Sequence, residues 1–336
     1  PTPLDSFNNP DLTLVFKACD KVSSILKKKD IIIFESTFYP GTTEQELIPY
    51  ISMKTKFKIN KDFYCGYSPE RINPGDTKNT IEKIIKITSA TNLYSLKIIN
   101  SIYKSVILAG THPVKSIAIA EASKIIENVQ RDVNIALINE LAIIFNKLGI
   151  DTESVLKAAG TKWNFLPFVP GLVGGHCIGV DPYYLTHKAM MVGYHPEMIL
   201  AGRRINDSMG SYVADQVSKL MIKKGINITH ANVLIMGLTF KENCPDIRNS
   251  RAIDVYKELE SYGVEVSVND PWADKSEVTH EFGIKLSALG SGYDAVVLTV
   301  SHREFLSLDI KSLLKENGIV YDVKGILDIN QIDGRL

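Results

Sequence analysis

Cys177 ends the segment Gly-Gly-His-Cys, and Asp181 follows it by four residues. The two glycines would let the backbone approach a ligand closely. A cysteine attacks a carbonyl carbon as its thiolate, which a neighbouring cation or a helix N-terminus favours. A lone cysteine is more often a buried structural residue than a nucleophile. The glycines and the adjacent His176 favour the nucleophile at this position.

A second group of polar residues recurs at helical spacing. Lys124, Asn128 and Asp132 are four residues apart in a segment that predicts a helix, so they share one face. The lysine and the asparagine could donate hydrogen bonds to a developing oxyanion, and a carboxylate beside them could order a water molecule. The same pattern also fits a solvated polar stripe with an i,i+4 ion pair, and the stripe alone does not separate the two interpretations.

Further polar residues follow predicted strands. Glu-Ser-Thr at 35–37 comes after one strand, Ser-Pro-Glu-Arg at 68–71 ends another, and Phe-Lys at 240–241 closes a third. Ligands of open α/β sheets gather at the carboxyl ends of strands, and basic side chains there suit phosphates. Ordinary turns and a helix start capped by Thr42 would explain the first two segments equally well.

The elements that must position these residues alternate between short apolar strands and helical segments, in one block at 11–110 and another at 232–323. This alternation predicts parallel sheets. Residues 116–148 contain no Gly or Pro and predict one long helix, and the loop at 160–184 is long enough to be functional. We therefore predict an α/β protein with two Rossmann-like doubly wound domains joined by a long central helix. The domain boundaries that this pattern indicates are 1–114, a helical middle at 115–225, and 226–336.

Composition limits the class of protein. The 336 residues are 45% hydrophobic, and 38 basic side chains balance 38 acidic ones, so charge does not indicate a nucleic-acid or membrane partner. The four cysteines form no C-x-x-C pair, which argues against structural zinc and a disulfide scaffold and favours a reducing cytoplasm. The first residues show neither a signal-peptide pattern nor an initiating Met, so we expect the natural N-terminus to lie upstream.

Taken in order, five segments resemble the nucleotide-sugar 6-dehydrogenase family, which includes UDP-glucose and UDP-N-acetylhexosamine dehydrogenases. The segments are Glu-Ser-Thr-x-x-Pro-Gly-Thr at 35–42, Ser-Pro-Glu-Arg at 68–71, Lys-x-x-Glu-Asn at 124–128, Gly-Gly-His-Cys-x-x-Val-Asp-Pro at 174–182 and Phe-Lys…Asp-x-Arg-x-Ser at 240–250. The likeness extends from the first residues to beyond Lys324. It implies that 1–114 is the remainder of a truncated NAD-binding Rossmann-like domain, 115–225 a central helical dimerisation and catalytic domain, and 226–336 a UDP-binding Rossmann-like domain. It implies a four-electron oxidation of the sugar C6 with two NAD in succession and no metal.

The resemblance also implies a role for each motif residue. Cys177 would capture the aldehyde as a thiohemiacetal, which is oxidised to a thioester and hydrolysed. Lys124 and Asn128 would stabilise the oxyanions, and Asp181 would assist proton transfer or activate water. Glu70 would match the proposed general base, and Thr37 would order water nearby. The residues that the resemblance places at NAD are Ser36, Thr37, Glu70 and Arg248.

UDP of the substrate would lie between the middle loop and the C-terminal domain. The implied substrate-binding residues are Phe165, Leu166, Phe168, Gly174, His176, Tyr183, Tyr184, Arg204, Phe240 and Lys241. The run from His176 to Tyr184 resembles the branch that oxidises UDP-N-acetylglucosamine or UDP-N-acetylgalactosamine for surface polysaccharides such as capsule and O-antigen. In that branch an arginine, here Arg204, would reach the partner subunit's substrate in a homodimer.

The sequence departs from the family at one motif, since it lacks the Gly-x-Gly-Tyr-Val-Gly turn that receives the pyrophosphate of NAD. We therefore expect this chain alone to bind NAD weakly and to turn over little. Three rival functions stay open at this point. They are a UDP-glucose 6-dehydrogenase, a catalytically impaired nucleotide-sugar binding fragment, and a simple alcohol or 3-hydroxyacid dehydrogenase, which would need no cysteine.

Overall fold

The computed structural model describes residues 2–71, 78–175 and 178–336. The α-helices are α1 (Thr13–Ile25), α2 (Ile48–Thr55), α3 (Leu93–Lys104), α4 (Ile117–Leu148), α5 (Thr152–Ala159), α6 (Asp181–Met191), α7 (Glu197–Lys223), α8 (Ala252–Ser261) and α9 (Lys275–Phe282). The strands are β1 (Ile31–Phe34), β2 (Tyr64–Tyr67), β3 (Lys86–Ala90), β4 (Thr111–Pro113), β5 (Asn232–Met236), β6 (Glu265–Asn269), β7 (Tyr293–Leu298), β8 (Leu314–Asp322) and β9 (Gly334–Arg335).

The chain forms two compact units. The first comprises Pro1–Gln130 and Val180–Ile199, and the second comprises Arg131–Gly179 and Leu200–Leu336. Each unit contains one sheet, with strand order β1-β2-β3-β4 in the first and β6-β5-β7-β8-β9 in the second. The predicted α/β class is thereby confirmed.

The sheet of the second unit is parallel throughout. Strand β5 has the sequence Asn-Val-Leu-Ile-Met, and its last four residues are fully buried. Such unbroken apolar strands are typical of parallel sheets that are covered on both faces. Helix α7 packs Met209, Val213 and Val217 into the same core.

The sheet of the first unit differs from the prediction at one pair. Strands β1 and β2 are parallel, as are β3 and β4, but β2 and β3 are antiparallel. A parallel pair needs a long crossover, usually a helix. The described part of the β2–β3 connection contains only a short 3₁₀ turn at Ile81–Lys83, and an antiparallel pair has no need of a crossover helix.

Side-chain caps set several helix starts. Asn92 accepts a hydrogen bond from the Ser95 amide at the start of α3, and Asp274 caps α9 in the same way. Helix α9 ends at Gly283, whose φ of 72° is a left-handed conformation that favours glycine. Among the described residues, none of the helices combines the length and apolar character that a membrane span needs.

Candidate active site

The carboxyl ends of β1 and β2 lie side by side in the first unit. Phe34 and Tyr67 are partners in the parallel ladder, so residues 35–37 and 68–71 leave the sheet at the same edge. Both segments contain exposed polar side chains. This edge is where open α/β sheets bind ligands.

Glu35 is held in place at this edge. The ammonium of Lys86, a buried residue, lies 3.0 Å from its Oε1, and the Tyr103 hydroxyl donates to the same atom over 2.7 Å. Partial burial alone would raise the pKa of Glu35, but the hydrogen bonds from Tyr103 and Lys86 outweigh it and lower that pKa. The carboxylate is therefore a fixed negative charge near neutral pH.

A buried carboxylate from α4 orders the turn that follows β1. Glu121 accepts hydrogen bonds from the Gly41 amide at 2.6 Å and from the Thr43 amide and hydroxyl at 2.9 and 2.7 Å. Burial raises the pKa of Glu121 despite these bonds. A one-turn helical segment, Thr43–Leu47, follows this turn. The expectation that Thr42 caps it was wrong, because the Thr42 hydroxyl donates to the Tyr39 carbonyl and Glu121 binds the amide and hydroxyl of Thr43 instead.

Farther along α4, two residues of the polar stripe are buried in the first unit. Lys124 is 7% exposed and Asn128 is fully buried. The Asn128 side-chain amide donates to Oδ2 of Asp181 over 2.6 Å, and its carbonyl oxygen accepts from Arg71 over 3.3 Å. Arg71 also lies 3.4 Å from the Glu127 carboxylate. The interpretation as a solvated stripe was therefore wrong, because its side chains are withdrawn from water.

Asp181 begins α6 and is 3% exposed. Burial raises the pKa of this carboxyl to about 6, although the Asn128 hydrogen bond and the charges of Lys124 and Arg71 act against the shift. A carboxylate that titrates near neutral pH can accept a proton and release it again in one catalytic cycle. Within the described part of the chain, the Lys124 ammonium forms no hydrogen bond or ion pair. Lys124 and Asp181 are therefore both buried without being joined to each other as a structural ion pair would be.

Asp132, the third residue of the stripe, belongs to the second unit and has different partners. Arg203 donates to its Oδ1 over 2.6 Å, and Asn206 donates to the same atom over 2.8 Å. Arg203 is 1% exposed and also pairs with Asp207. Asp132 therefore anchors a buried ion pair and is not the carboxylate that could order water beside Lys124.

The segment before Cys177 is fixed at two points within the second unit. The Asn139 side chain accepts from the Gly171 amide over 2.8 Å and donates to the Gly171 carbonyl over 3.0 Å. Nearer the cysteine, the Gly175 amide donates to the Asn249 carbonyl over 3.3 Å. A Cβ at Gly174 would lie 2.5 Å from the same carbonyl oxygen, so only glycine fits there. His176 and Cys177 themselves lie outside the described residues.

A cavity of about 340 Å³ opens in the second unit beside this loop. Its lining combines apolar side chains such as Phe165 and Phe168 with the basic Lys157, Lys324 and Arg335 and the acidic Glu153. Arg335 is engaged by the carboxylates of Asp151 and Glu153. Aromatic side chains beside cations suit a flat base attached to phosphates.

The sequence matches three domain descriptions of one family along its length. The NAD binding domain of the UDP-glucose/GDP-mannose dehydrogenase family matches residues 1–107, its central domain 118–208 and its UDP binding domain 234–329. The chain belongs to this family. It is therefore an NAD-dependent oxidoreductase, and NAD is its cofactor.

Individual relatives agree with this assignment. UDP-N-acetyl-D-glucosamine 6-dehydrogenase of Pseudomonas aeruginosa is 54% identical over 341 residues, covering 100% of this chain and 81% of the relative. Protein CapL of Staphylococcus aureus is 52% identical, with 99% and 80% covered. The solved structure of UDP-D-ManNAc dehydrogenase from Pyrococcus horikoshii superposes with a TM-score of 0.88 at 28% identity, covering 99% of this chain and 78% of that one.

The first sheet of this dehydrogenase fits NAD by the chemistry of its donors. Ser36 is exposed and Thr37 half-buried after β1, and Glu70 is exposed after β2. Hydroxyl and carboxylate groups at adjacent strand ends match the ribose hydroxyls and carboxamide of a dinucleotide. No hydrogen bond joins Thr37 or Glu70 side chains to the Asn128–Asp181 pair among the residues described. Arg248, also predicted at NAD, is exposed and forms a close ion pair with Asp246.

The predicted substrate residues fall into different environments. Phe165 and Phe168 line the cavity, whereas Leu166 is 57% exposed and is not part of its lining. Arg204 is exposed on α7. Tyr184 is fully buried, and its hydroxyl donates to the Thr2 carbonyl over 2.5 Å, so its surroundings fit a structural role and not the predicted substrate contact.

Four other predicted substrate residues have distinct settings. Tyr183 is half-buried on α6, and Gly174 is half-buried before the cysteine. Phe240 and Lys241 are half-buried after β5 in the second unit. Phe240 and Lys241 thus lie at the edge of the second sheet formed by the carboxyl ends of its strands, as their position after an apolar strand predicted.

Sequence reasoning missed several residues that this dehydrogenase uses to shape the site. Glu121 lies one helical turn before Lys124, and this spacing could have indicated it. Arg71 was noticed only as part of its motif. Asn139 and Asn249 gave no signal, because the groups they bind, the Gly171 main chain and the Asn206 side chain for Asn139 and the Gly175 carbonyl for Asn249, are at least 32 residues away.

Proposed function

We propose that this dehydrogenase oxidises C6 of a UDP-N-acetylhexosamine to the uronate, with UDP-N-acetylglucosamine or UDP-N-acetylgalactosamine as substrate. One observation supports the chemistry most directly: Asn128 and Lys124 are buried on one helix face beside a carboxylate whose pKa is about 6. The names of the relatives that are 54% and 52% identical over nearly the whole chain support the substrate class and a capsule-type pathway.

The proposed residue roles follow from the chemistry of two successive oxidations. NAD, when bound, accepts the hydride that leaves C6 in each oxidation. Asp181 takes the proton of the C6 hydroxyl in the first, and the product is an aldehyde. The Cys177 thiolate adds to the aldehyde carbon, and a C–S bond forms as the carbonyl π pair moves to oxygen. Loss of the second hydride leaves a thioester, and water attacks it, so that the C–S bond breaks, the thiolate leaves and the acid is released.

The helix residues act on the oxygen of these species. Each addition places negative charge on the former carbonyl oxygen, and donors fixed before the reaction stabilise that charge most effectively. Lys124 and Asn128 are proposed as those donors, with Glu70 and Thr37 in supporting proton and water roles. Burial of the helix residues strengthens each interaction because the surroundings are less polarisable than water.

The cavity of the second unit is proposed as the nucleotide site. Phe165 and Phe168 would pack against the base, and Lys324, which also lines the cavity, would balance the diphosphate charge. Lys241, which lies outside this lining, would reach the diphosphate from the turn after β5. His176 and Tyr183 would contact the sugar. The domain roles at 1–114, 115–225 and 226–336 belong to the same proposal, as does a homodimer in which Arg204 reaches the partner subunit's substrate. A cytoplasmic setting fits the free thiols of Cys19, Cys65 and Cys244.

Mass analysis of the product tests the proposal. The chain is incubated with NAD and, separately, with UDP-N-acetylglucosamine, UDP-N-acetylgalactosamine, UDP-N-acetylmannosamine and UDP-glucose. Conversion of CH₂OH to COOH adds about 14 mass units, and we expect it with one of the first two substrates. Oxidation of UDP-glucose alone would contradict the substrate assignment. Binding of UDP-sugars without any oxidation would favour a binding protein instead.

The variant Cys177→Ser separates two-step from one-step oxidation. We expect it to lose acid formation almost completely, because an alkoxide leaves a carbonyl far less readily than a thiolate does. The matched control is Cys244→Ser, which alters a buried, free thiol elsewhere in the chain. An unchanged rate in Cys177→Ser would indicate a simple alcohol dehydrogenase.

A further inference from the structure

A fully buried histidine lies beneath the turn that carries Phe240 and Lys241. His302 is 0% exposed, and it follows β7 just as this turn follows β5. Strands β5 and β7 are neighbours in the sheet of the second unit, so both turns occupy the same edge. None of the roles proposed above involves His302.

The hydrogen bonds of His302 fix its tautomer. The Asn243 amide donates to Nδ1 over 3.0 Å, so Nδ1 must be the unprotonated nitrogen. The ring proton is then on Nε2, which lies 3.1 Å from Oδ2 of Asp270 and 3.1 Å from the Thr239 hydroxyl oxygen. A neutral imidazole with this tautomer uses both nitrogens at once, and the protonated ring could not accept from Asn243.

Asp270 ties the histidine to the main chain of the turn. Its Oδ2 accepts from the Leu238 and Thr239 amides over 2.5 and 2.9 Å, and its Oδ1 accepts from the Trp272 and Ala273 amides. Although burial opposes ionisation, the hydrogen bond from His302 and those from the Leu238 and Thr239 amides hold the pKa of Asp270 below its usual value. The carboxylate is therefore a permanent acceptor beneath the turn.

These contacts hold the turn on both sides of its tip. Before the tip, the Thr239 hydroxyl is beside Nε2 and donates to the Lys241 carbonyl over 3.0 Å. After the tip, Asn243 is bound through its amide to Nδ1, and its side chain accepts from the Arg303 amide over 3.1 Å. Asn243 has a φ of 54°, in the left-handed region that asparagine tolerates better than most non-glycine residues. The path of the chain through Lys241 thus depends on His302.

We propose that His302 is a positioning residue for a nucleoside diphosphate: it fixes the main chain of residues 239–243 and so places Lys241 to neutralise the diphosphate. This inference rests on the proposed function, in which Lys241 binds the diphosphate. A lysine on an unrestrained turn would lose side-chain and backbone entropy on binding, and pre-ordering the turn reduces that loss.

Calorimetric titration of the chain with UDP tests the proposal without any turnover. Three variants separate the two ring contacts: His302→Ala removes both, His302→Asn keeps an acceptor near Nδ1, and His302→Gln keeps a donor near Nε2. We expect His302→Ala to weaken UDP binding about tenfold and His302→Asn to restore most of the loss, since the Asn243 contact restrains the tip directly. The matched control is Arg303→Ala, which removes a neighbouring exposed side chain and should leave affinity unchanged.

A double-mutant cycle decides whether His302 acts through Lys241. If it does, His302→Ala should have little further effect on UDP affinity in a Lys241→Ala background. Additive effects would overturn the proposal, because they would mean that the histidine supports the unit in general. Failure of wild type to bind UDP would instead contradict the proposed nucleotide site itself.

The tautomer can be read directly. Long-range proton–nitrogen spectra of the wild-type chain should show an unprotonated Nδ1 and a protonated Nε2 for His302 at neutral pH. This measurement needs no variant, so the proposal stays testable even where His302→Ala does not fold. A protonated Nδ1 would overturn it, because the Asn243 amide could then not be bound.

Discussion

Asn128 donates a 2.6 Å hydrogen bond from its side-chain amide to the carboxylate of Asp181, which is 53 residues away in the sequence. The opposite end of the same amide accepts from Arg71. Because arginine can only donate, this contact fixes the carbonyl oxygen toward Arg71 and the NH₂ group toward Asp181. The pair therefore combines a fixed donor with a buried carboxylate that titrates near neutral pH.

The first prediction concerns the pH dependence of stability. Burial raises the pKa of Asp181 from 3.8 to about 6, so the folded chain holds this proton more tightly than the unfolded chain. The resulting stabilisation is complete below about pH 4 and disappears as pH rises through about 6. Two pKa units correspond to roughly 3 kcal/mol. Relative to Asp181→Asn, wild type should therefore lose up to roughly this much unfolding free energy between about pH 4 and 8.

Urea titrations of both proteins across this range measure the difference. Asp20→Asn is a control of opposite sign, because hydrogen bonds from Lys54 and Tyr50 lower the pKa of that exposed carboxyl. The stabilisation that the ionised Asp20 carboxylate contributes should disappear as pH falls. A pH-independent difference between wild type and Asp181→Asn would contradict the assigned titration.

The second prediction concerns Asn128→Leu, which keeps the branched shape but removes the amide. Loss of an oxyanion donor should lower kcat by about 10²–10³-fold. Asp181 would also lose the hydrogen bond that favours its charged form, so the acid limb of the kcat–pH profile should move to higher pH. Steady-state kinetics at several pH values measure both effects. A control is Thr186→Val, which removes a hydroxyl bonded to the Tyr183 carbonyl on α6. A fall in kcat with an unmoved acid limb would mean that Asn128 does not act on Asp181.

The third prediction is that Lys124→Met separates activity from stability. A buried ammonium without a hydrogen-bonded partner in the described chain is costly to the fold, and methionine fills a similar volume without that cost. We expect kcat to fall about 10²–10³-fold while the free energy of unfolding stays constant or rises. Kinetics and urea titration of the same sample provide both values. Strong destabilisation with retained activity would assign Lys124 to the fold instead.

Local patterns predicted the parts of this site that lie on one element. Helical spacing placed Lys124 and Asn128 on one face, and an apolar strand predicted that Lys241 follows β5 at the sheet edge. The pattern could not reveal what faces the helix. Asp181 and Arg203 are brought to α4 only by folding, so the same periodicity put Asp132 in the wrong role.

Backbone partners were equally invisible in the sequence. Glu121 caps a helix start about 80 residues away, a distance at which no capping signature applies. The antiparallel pairing of β2 with β3 depends on their connection and not on the composition of either strand. The partner of His302 was hidden for the same reason. Nothing in the sequence indicates that its Nδ1 accepts from the main-chain amide of Asn243, 59 residues away.

The last prediction concerns the buried ion pair of Asp132 and Arg203 on α4 and α7. Both side chains are at most 2% exposed, and the Arg203 Nη1 lies 2.6 Å from the Asp132 Oδ1. Removing one partner leaves the other charge buried without compensation, which costs about 3–5 kcal/mol. Arg203→Met should therefore destabilise the chain by that amount, as measured by urea unfolding.

The double variant Asp132→Leu, Arg203→Met tests the cause of this loss. Removing both side chains leaves neither member of the pair as an uncompensated buried charge, so the double variant should be more stable than Arg203→Met alone. The shared hydrogen bond from Asn206 to Asp132 limits the recovery, since one buried amide then loses a partner. The destabilisation of the double variant can also equal the sum of the losses in Asp132→Leu and Arg203→Met alone. That result would show that packing of the two side chains, and not their mutual charge, stabilises the contact between α4 and α7.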